Sequence, residues 1–246
     1  MRWIRSPRWR HSFVHAFGKD CFKAYHFSFM NNELAFSAVK SNTSIFAIWL
    51  VTISGMIGIW LGYGAWFLPK TPFNLLLGLG LLYWNFPLKN VWPGILIWSL
   101  VYITGMSVEM IGVNTGLLFG NYWYGENLGP KLANVPLLIG INWVVLTFIT
   151  ATIAKRFIRN PWMAPVCGAA LMVALDFFIE PVASVFDYWH WNAGYAPLRN
   201  YTDWFVVSLV LQVLVKNYVP QAKYPLPLHH FASQALFFVF FYLINK

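Results

Sequence analysis

Pro161-Trp-Met-Ala-Pro165-Val-Cys-Gly-Ala-Ala170-Leu-Met-Val-Ala-Leu175-Asp176-Phe-Phe-Ile-Glu180-Pro181-Val-Ala183 is an apolar run carrying two carboxylates near its end. A helix rises about 1.5 Å per residue, so a run of about 20 residues crosses the ~30 Å hydrocarbon core of a bilayer. Asp176 and Glu180 stand at i and i+4, which stacks them on one helical face. An ionisable group in such a span costs roughly 2.5–3.5 kcal/mol on insertion scales and generally faces the bundle interior. Two of them on one face predict proton chemistry in apolar surroundings. The competing expectation is structural: buried acids that accept hydrogen bonds and lock helices together.

The rest of the chain has the same character. Its 246 residues are 59% hydrophobic, 20% aromatic and only 10% charged, too apolar for an ordinary soluble domain. The expected fold class is all-α: a polytopic membrane helix bundle of about seven transmembrane helices, occupying residues 44–246. Residues 1–43 form a separate basic segment, cytoplasmic or interfacial. There Phe13, Val14, Phe17, Cys21, Tyr25 and Phe29 recur at helical spacing, predicting an N-terminal helix lying in the lipid interface. A disordered basic tail is the alternative. No cleavable leader is expected, because this segment lacks an uninterrupted apolar core.

The net charge of +9 raises the question of nucleic acid, but the basic residues form no interaction stripe, and no nucleic-acid partner is expected. They sort by membrane side instead. Apolar segments fall at about 44–62, 73–86, 91–111, 135–154, 162–183, 202–218 and 229–244. With the N-terminus in the cytoplasm, thirteen Lys/Arg lie on the cytoplasmic side and four (Lys70, Lys131, Arg199, Lys246) on the other. This positive-inside bias predicts a multi-pass protein of the cytoplasmic membrane, N-terminus inside.

The acids sort the opposite way. Glu109, Glu126, Asp176, Glu180, Asp187 and Asp203, six of the eight, fall in the outer half or outer loops. On the third span Trp98, Tyr102, Gly105 and Glu109 share a face that ends at the depth of Glu180. A polar, aromatic-walled chamber near the outer surface would gather these groups, although many of the 14 Trp are equally explained by an interfacial belt. Gly112, Gly116 and Gly120 are spaced as small-xxx-small, predicting close helix packing or a re-entrant turn. Asn142, beside Trp143, is equally well a helix-bridging amide or a site residue. His229 and His230 read as interfacial. Cys21 and Cys167 have no metal-ligand spacing, and no metal or dinucleotide motif occurs, so neither metal nor cofactor is expected.

Two blocks carry a resemblance. The first is Glu109-x-Ile-Gly-Val-x-Thr-Gly-x-x-Phe-Gly-x-Tyr-x-Tyr124, followed by Leu128-Gly-Pro-Lys and Val135-Pro-Leu-Leu-Ile. The second is Asp176-x-x-x-Glu180-Pro181, then Tyr188-Trp189-x-Trp191, Pro197, Asn200 and Trp204. Together they resemble the multi-pass carotenoid biosynthesis proteins that hydrate acyclic ψ-end groups, the γ-carotene 1'-hydratases and bisanhydrobacterioruberin hydratases. The likeness covers roughly residues 91–215, with Glu180 where Asp is more usual and Asp203 where Gly is.

The resemblance implies a carotenoid 1,2-hydratase, a hydro-lyase without a cofactor. Its substrate would be a lipophilic carotenoid of the lycopene, γ-carotene or bisanhydrobacterioruberin type. Its surroundings would be membrane lipid, and association with other carotenoid enzymes is compatible with it. A proton goes to C2, a tertiary cation forms at C1, and water captures it. An acid shielded by apolar surroundings stays protonated and can serve as donor, and aromatic faces stabilise the passing cation. The expected catalytic groups are Asp176, Glu180 and Glu109. The expected substrate-binding residues are Trp98, Tyr102, Asn114, Thr115, Phe119, Tyr122 and Tyr124 from the first block and its span. Asn142, Trp143, Tyr188, Trp189, Trp191, Asn200 and Trp204 complete the set. Two other functions compete: a lycopene-cyclase-like enzyme using the same protonation, and a non-catalytic carotenoid-binding or carrier protein.

Overall fold

The computed structural model describes residues 37–86, 91–219 and 225–245. The chain divides into two units, Met1–Lys40 and Ser41–Lys246. Of the first only the helical residues 37–40 are described, so the expected interfacial helix lies outside the described residues.

Helix α1 (residues 37–58) gives way to a π-helical turn at Ile59–Tyr63, where Gly62 adopts φ 92°, a conformation glycine takes without steric cost. A short α2 (Gly64–Phe67) and a 3₁₀ turn (Leu68–Lys70) lead into α3 (Thr71–Asn85). Then follow α4 (Val91–Thr115), α5 (Leu137–Phe157), α6 (Met163–Ala183), α7 (Leu198–Val215) and α8 (Leu226–Ile244). Each of the seven expected apolar segments therefore coincides with helix, and the molecule is an all-α membrane bundle. Five helices are long and apolar enough to cross a membrane, with Ser37–Asn85 counting as one 49-residue run. α3, with 15 residues, is short for a span. α7 carries Arg199 and Asp203 in its opening turns, which lowers its hydropathy.

α5 is the central helix. Every residue from Trp143 to Ala154 is buried, as expected of a helix apolar on all sides, and α3, α4, α6, α7 and α8 all pack against it. It starts after Pro136, whose extended backbone (ψ 133°) turns the chain into the bundle, and ends with Lys155 and Arg156 favourably placed at the negative end of its dipole. A buried amide ties α7 to its far half: Gln212 Nε2 donates to Thr150 Oγ1 (2.7 Å) and Thr147 O (3.2 Å).

Two small ladders decorate one end. β1 (Tyr122–Tyr124) pairs antiparallel with β4 (Trp189–Trp191), setting Tyr122 opposite Trp191 and Tyr124 opposite Trp189. β2 (Lys131–Leu132) pairs with β3 (Val135–Pro136). The glycine series before β1 does not make a helix–helix seam. Gly116, with φ 68°, ends α4 in the left-handed conformation, and its N–H bonds Gly112 O (2.8 Å). A Cβ on Gly112 would stand 2.9 Å from both the Phe119 ring and the Tyr122 hydroxyl, so the returning loop is what approaches it. His230 is buried within the bundle against Gly78; its neighbour His229, partly exposed, accepts the Trp49 indole N–H.

Candidate active site

The ladder explains how the carboxylates are held. In a strand, side chains at i and i+2 project to the same side. Tyr122 and Tyr124 thus both reach Glu109 of α4, donating their hydroxyls to Oε2 at 2.6 and 2.7 Å. On the partner strand Trp189 and Trp191 both reach Glu180 of α6, donating their indole N–H groups to Oε2 at 3.1 and 2.6 Å. The intervening Trp123 and His190 point the other way and stack on each other with centroids 5.3 Å apart. Burial, with the Glu109 carboxylate beside them, holds the Tyr122 and Tyr124 phenols well above the usual tyrosine range, so both remain donors.

Helices supply the remaining donors. Trp143, one turn and a half into α5, gives its indole N–H to Glu109 Oε1 at 3.0 Å. A glycine makes room for it: a Cβ on Gly105 would lie 2.6 Å from Trp143 Cγ. Asn200, at the start of α7, bridges the α6 pair with one amide nitrogen, donating to Asp176 Oδ2 (2.8 Å) and Glu180 Oε1 (3.0 Å). Glu109 and Glu180 thus each accept three N–H or O–H groups. Asp176 accepts one, and its buried Oδ1 has no partner among the described residues.

These groups surround a cavity of about 30 Å³, large enough for a water molecule. Of the sequence-predicted residues, all three acids, Phe119, Tyr122 and Tyr124 line it. So do Asn142, Trp143, Trp189, Trp191, Asn200 and Trp204. Its aromatic wall includes the Trp143–Trp204 stack, with centroids 4.2 Å apart. Tyr188 faces a neighbouring, larger chamber instead; its hydroxyl meets Thr71 Oγ1 at 2.9 Å, and burial pushes its phenol up to about 12.

Four predicted residues lie elsewhere. Trp98 packs between Tyr83 and Phe148, and Tyr102 donates its hydroxyl to Leu137 O (3.0 Å). Asn114 bonds Met110 O and Ala133 O, while the Thr115 hydroxyl bonds Ile111 O at the end of α4. Sequence reasoning missed Ile139 and Ile179, which line the cavity but carry no polar signature. It also gathered Asp203 with the other outer acids into one chamber, whereas Asp203 does not line the cavity. That carboxylate accepts the Phe119 N–H at 2.8 Å and so holds Phe119 at φ 64°, a conformation strained for a bulky residue, with its ring against the cavity. Arg199 fastens the same corner, bonding Asp203 and the carbonyl of Leu117.

Among the described residues no cluster of His, Cys, Asp and Glu is arranged to hold a metal ion. The site is a set of fixed carboxyls and donors around a water-sized space at one end of an apolar bundle.

Residues 71–245 match the carotenoid biosynthesis protein family, and the chain belongs to it. It is similar to the bisanhydrobacterioruberin hydratase of Haloarcula japonica, with 24% identity over 142 residues, covering 52% of this chain and 46% of that protein. The matched region thus spans less than half of the relative's own length. No solved structure matches the chain.

Proposed function

We propose that this protein is a membrane carotenoid hydratase, adding water across the C1=C2 double bond of an acyclic ψ-end group to give a tertiary alcohol. One observation carries the reading: among the described residues, Asp176 Oδ1 is a buried carboxyl oxygen without a partner, beside a water-sized cavity. Among the described residues a proton on that oxygen has no acceptor, so it is available to an incoming alkene. Family membership and the name of the relative support the same chemistry.

The steps balance without an added reagent. Asp176 transfers its proton to C2, and the π electrons form the new C–H bond, leaving a tertiary cation at C1. Trp143, Trp204 and Trp191 line the cavity, and their π systems can stabilise positive charge electrostatically. Water bonds to C1 and releases a proton to Glu180, which then returns it to Asp176. Asn200 keeps the two carboxyls together throughout. Glu109, fixed by three donors, holds its carboxyl oxygens at the cavity wall, where they can face the passing cation.

Expression in cells that accumulate lycopene or γ-carotene tests this. The expected product is one water heavier with its chromophore unchanged, because C1=C2 lies outside the conjugated system. A product of unchanged mass and blue-shifted absorption would establish cyclisation and overturn the reading.

A further inference from the structure

α1 and α3 are joined at one end. Asn85 Nδ2 donates to Ser44 Oγ (2.7 Å), and Trp49 on the same stretch of α1 reaches His229 of α8. Toward their other ends a chamber of about 420 Å³ opens between α1, α3 and α8. Its rim includes Leu50, Trp66 and Phe73, which are 53%, 58% and 62% exposed and, in an apolar bundle of this length, face lipid. Its inner wall includes Ile139, Asn142, Ile179 and Trp189, and the same four residues line the acid cavity. The two spaces therefore share a wall.

The size of the chamber restricts what enters. Its volume suits a small-molecule site, typically about 300–1,000 Å³, whereas a polyene as long as the ~30 Å hydrocarbon core cannot fit whole. One end can enter while the remainder stays in lipid. Within the shared wall, the Trp189 N–H is already given to Glu180. Among the described residues the Asn142 side chain makes no hydrogen bond, so its amide is free at the junction. A bound water needs two or more polar partners. Glu180 offers one and Asn142, lining the same cavity, offers the second.

We propose that the acyclic end of the polyene enters this chamber laterally from the bilayer, past Leu50, Trp66 and Phe73, and that Asn142 is a positioning residue that holds the attacking water at the junction. The proposal rests on the hydration reading above.

The test uses full-length protein purified into nanodiscs from carotenoid-producing cells, with retained pigment and hydrated product measured per folded protein. Gly55→Trp and, independently, Ser54→Phe fill the chamber from α1. Each is expected to lower both pigment and product by about tenfold or more. Asn142→Leu is expected to keep pigment at the wild-type level while product falls about tenfold, with partial rescue by Asn142→Gln. Unchanged pigment and product in a folded filler variant would overturn the chamber, and unchanged product in Asn142→Leu would overturn the role of Asn142. Wild-type protein that retains pigment and forms no hydrated product would remove the hydration reading and, with it, the role of Asn142. The chamber would then stand or fall on pigment retention in the fillers.

Discussion

Asn200 donates to Asp176 Oδ2 across 2.8 Å and leaves Oδ1, the other oxygen of the same carboxyl, buried and without a partner among the described residues. The carboxyl is held from one side and available from the other. Asp176→Asn preserves the shape and removes the transferable proton. Hydrated product should fall by about 10²–10⁴-fold, the usual worth of a general acid, at a normal membrane level of the protein. Near-normal turnover in that variant would show that another group donates the proton.

Glu180 is in a different position, since Trp191, Trp189 and Asn200 already occupy both of its oxygens. Trp191→Phe keeps most of the ring and removes the shortest of these bonds. Removing one donor from a buried carboxyl costs about 1–3 kcal/mol, so the variant should unfold at lower temperature in detergent. Its turnover should fall less than that of Asp176→Asn, because the proton donor remains. A larger loss from Trp191→Phe would shift the chemistry onto Glu180.

What was legible in the sequence follows from the range of each signal. Asp176 and Glu180 could be placed on one face because helical spacing is local, and seven apolar segments could be placed because each carries its own hydropathy. The meeting of β1 with β4 is not local. Three-residue strands are too short to give a hydrophobic pattern, and nothing in Tyr122-Trp123-Tyr124 names Trp189-His190-Trp191 as its partner. The alternation itself was present, since both stretches repeat an aromatic donor at i and i+2, and that period points two side chains at one target. The chamber between α1, α3 and α8 left no trace, because it is a gap between apolar faces that read like any lipid-facing helix. Asn114 and Thr115 sit within the same motif as Phe119 and Tyr122, yet they cap α4 and secure its loop, a role that type and position alone do not separate from binding.

Gly105 tests the packing behind Glu109. An added Cβ would meet Trp143 at 2.6–2.7 Å, against a rigid ring in a buried core. Gly105→Ala should push the Trp143 indole away from Glu109, cost about 1–3 kcal/mol by overpacking, and reduce hydration. Thermal unfolding and product yield measured side by side separate the two effects.

Asp187 gives the ladder a pH dependence. Its carboxylate accepts the Glu126 N–H (2.9 Å) and sits 2.9 Å from His190 Nε2, and these bonds hold it below the usual aspartate range. A lowered folded-state value means stabilisation that is present above the ordinary value of about 3.9 and lost as pH falls through the lowered one. Amide exchange at Gly125 and Asn127, which bond Tyr188 O and Asp187 O, should therefore show steady protection from about pH 7 to 5 and loss of it below about 4. Asp187→Asn, which tolerates the φ of 53° at this position, should remove that acid-dependent loss. Protection that falls with pH equally in the variant would assign the effect to another group.

The last prediction concerns sidedness. Glu109, Asp176, Glu180 and the β1–β4 ladder gather at one end of the bundle, where α4 and α6 finish and α5 and α7 begin. At the opposite end of α5, Lys155 Nζ reaches Val219 O (2.9 Å), beyond the end of α7. The carboxylate site and this basic corner are thus on opposite sides. Positive-inside bias then predicts the basic corner in the cytoplasm and the ladder outside. Glu126 and Ala193 are both exposed on the ladder end. With Cys21 and Cys167 replaced by alanine, Glu126→Cys and Ala193→Cys should react with a membrane-impermeant maleimide in intact cells, while Arg159→Cys should react only after permeabilisation. The reverse pattern would turn the bundle over and open the acid cavity toward cytoplasmic water.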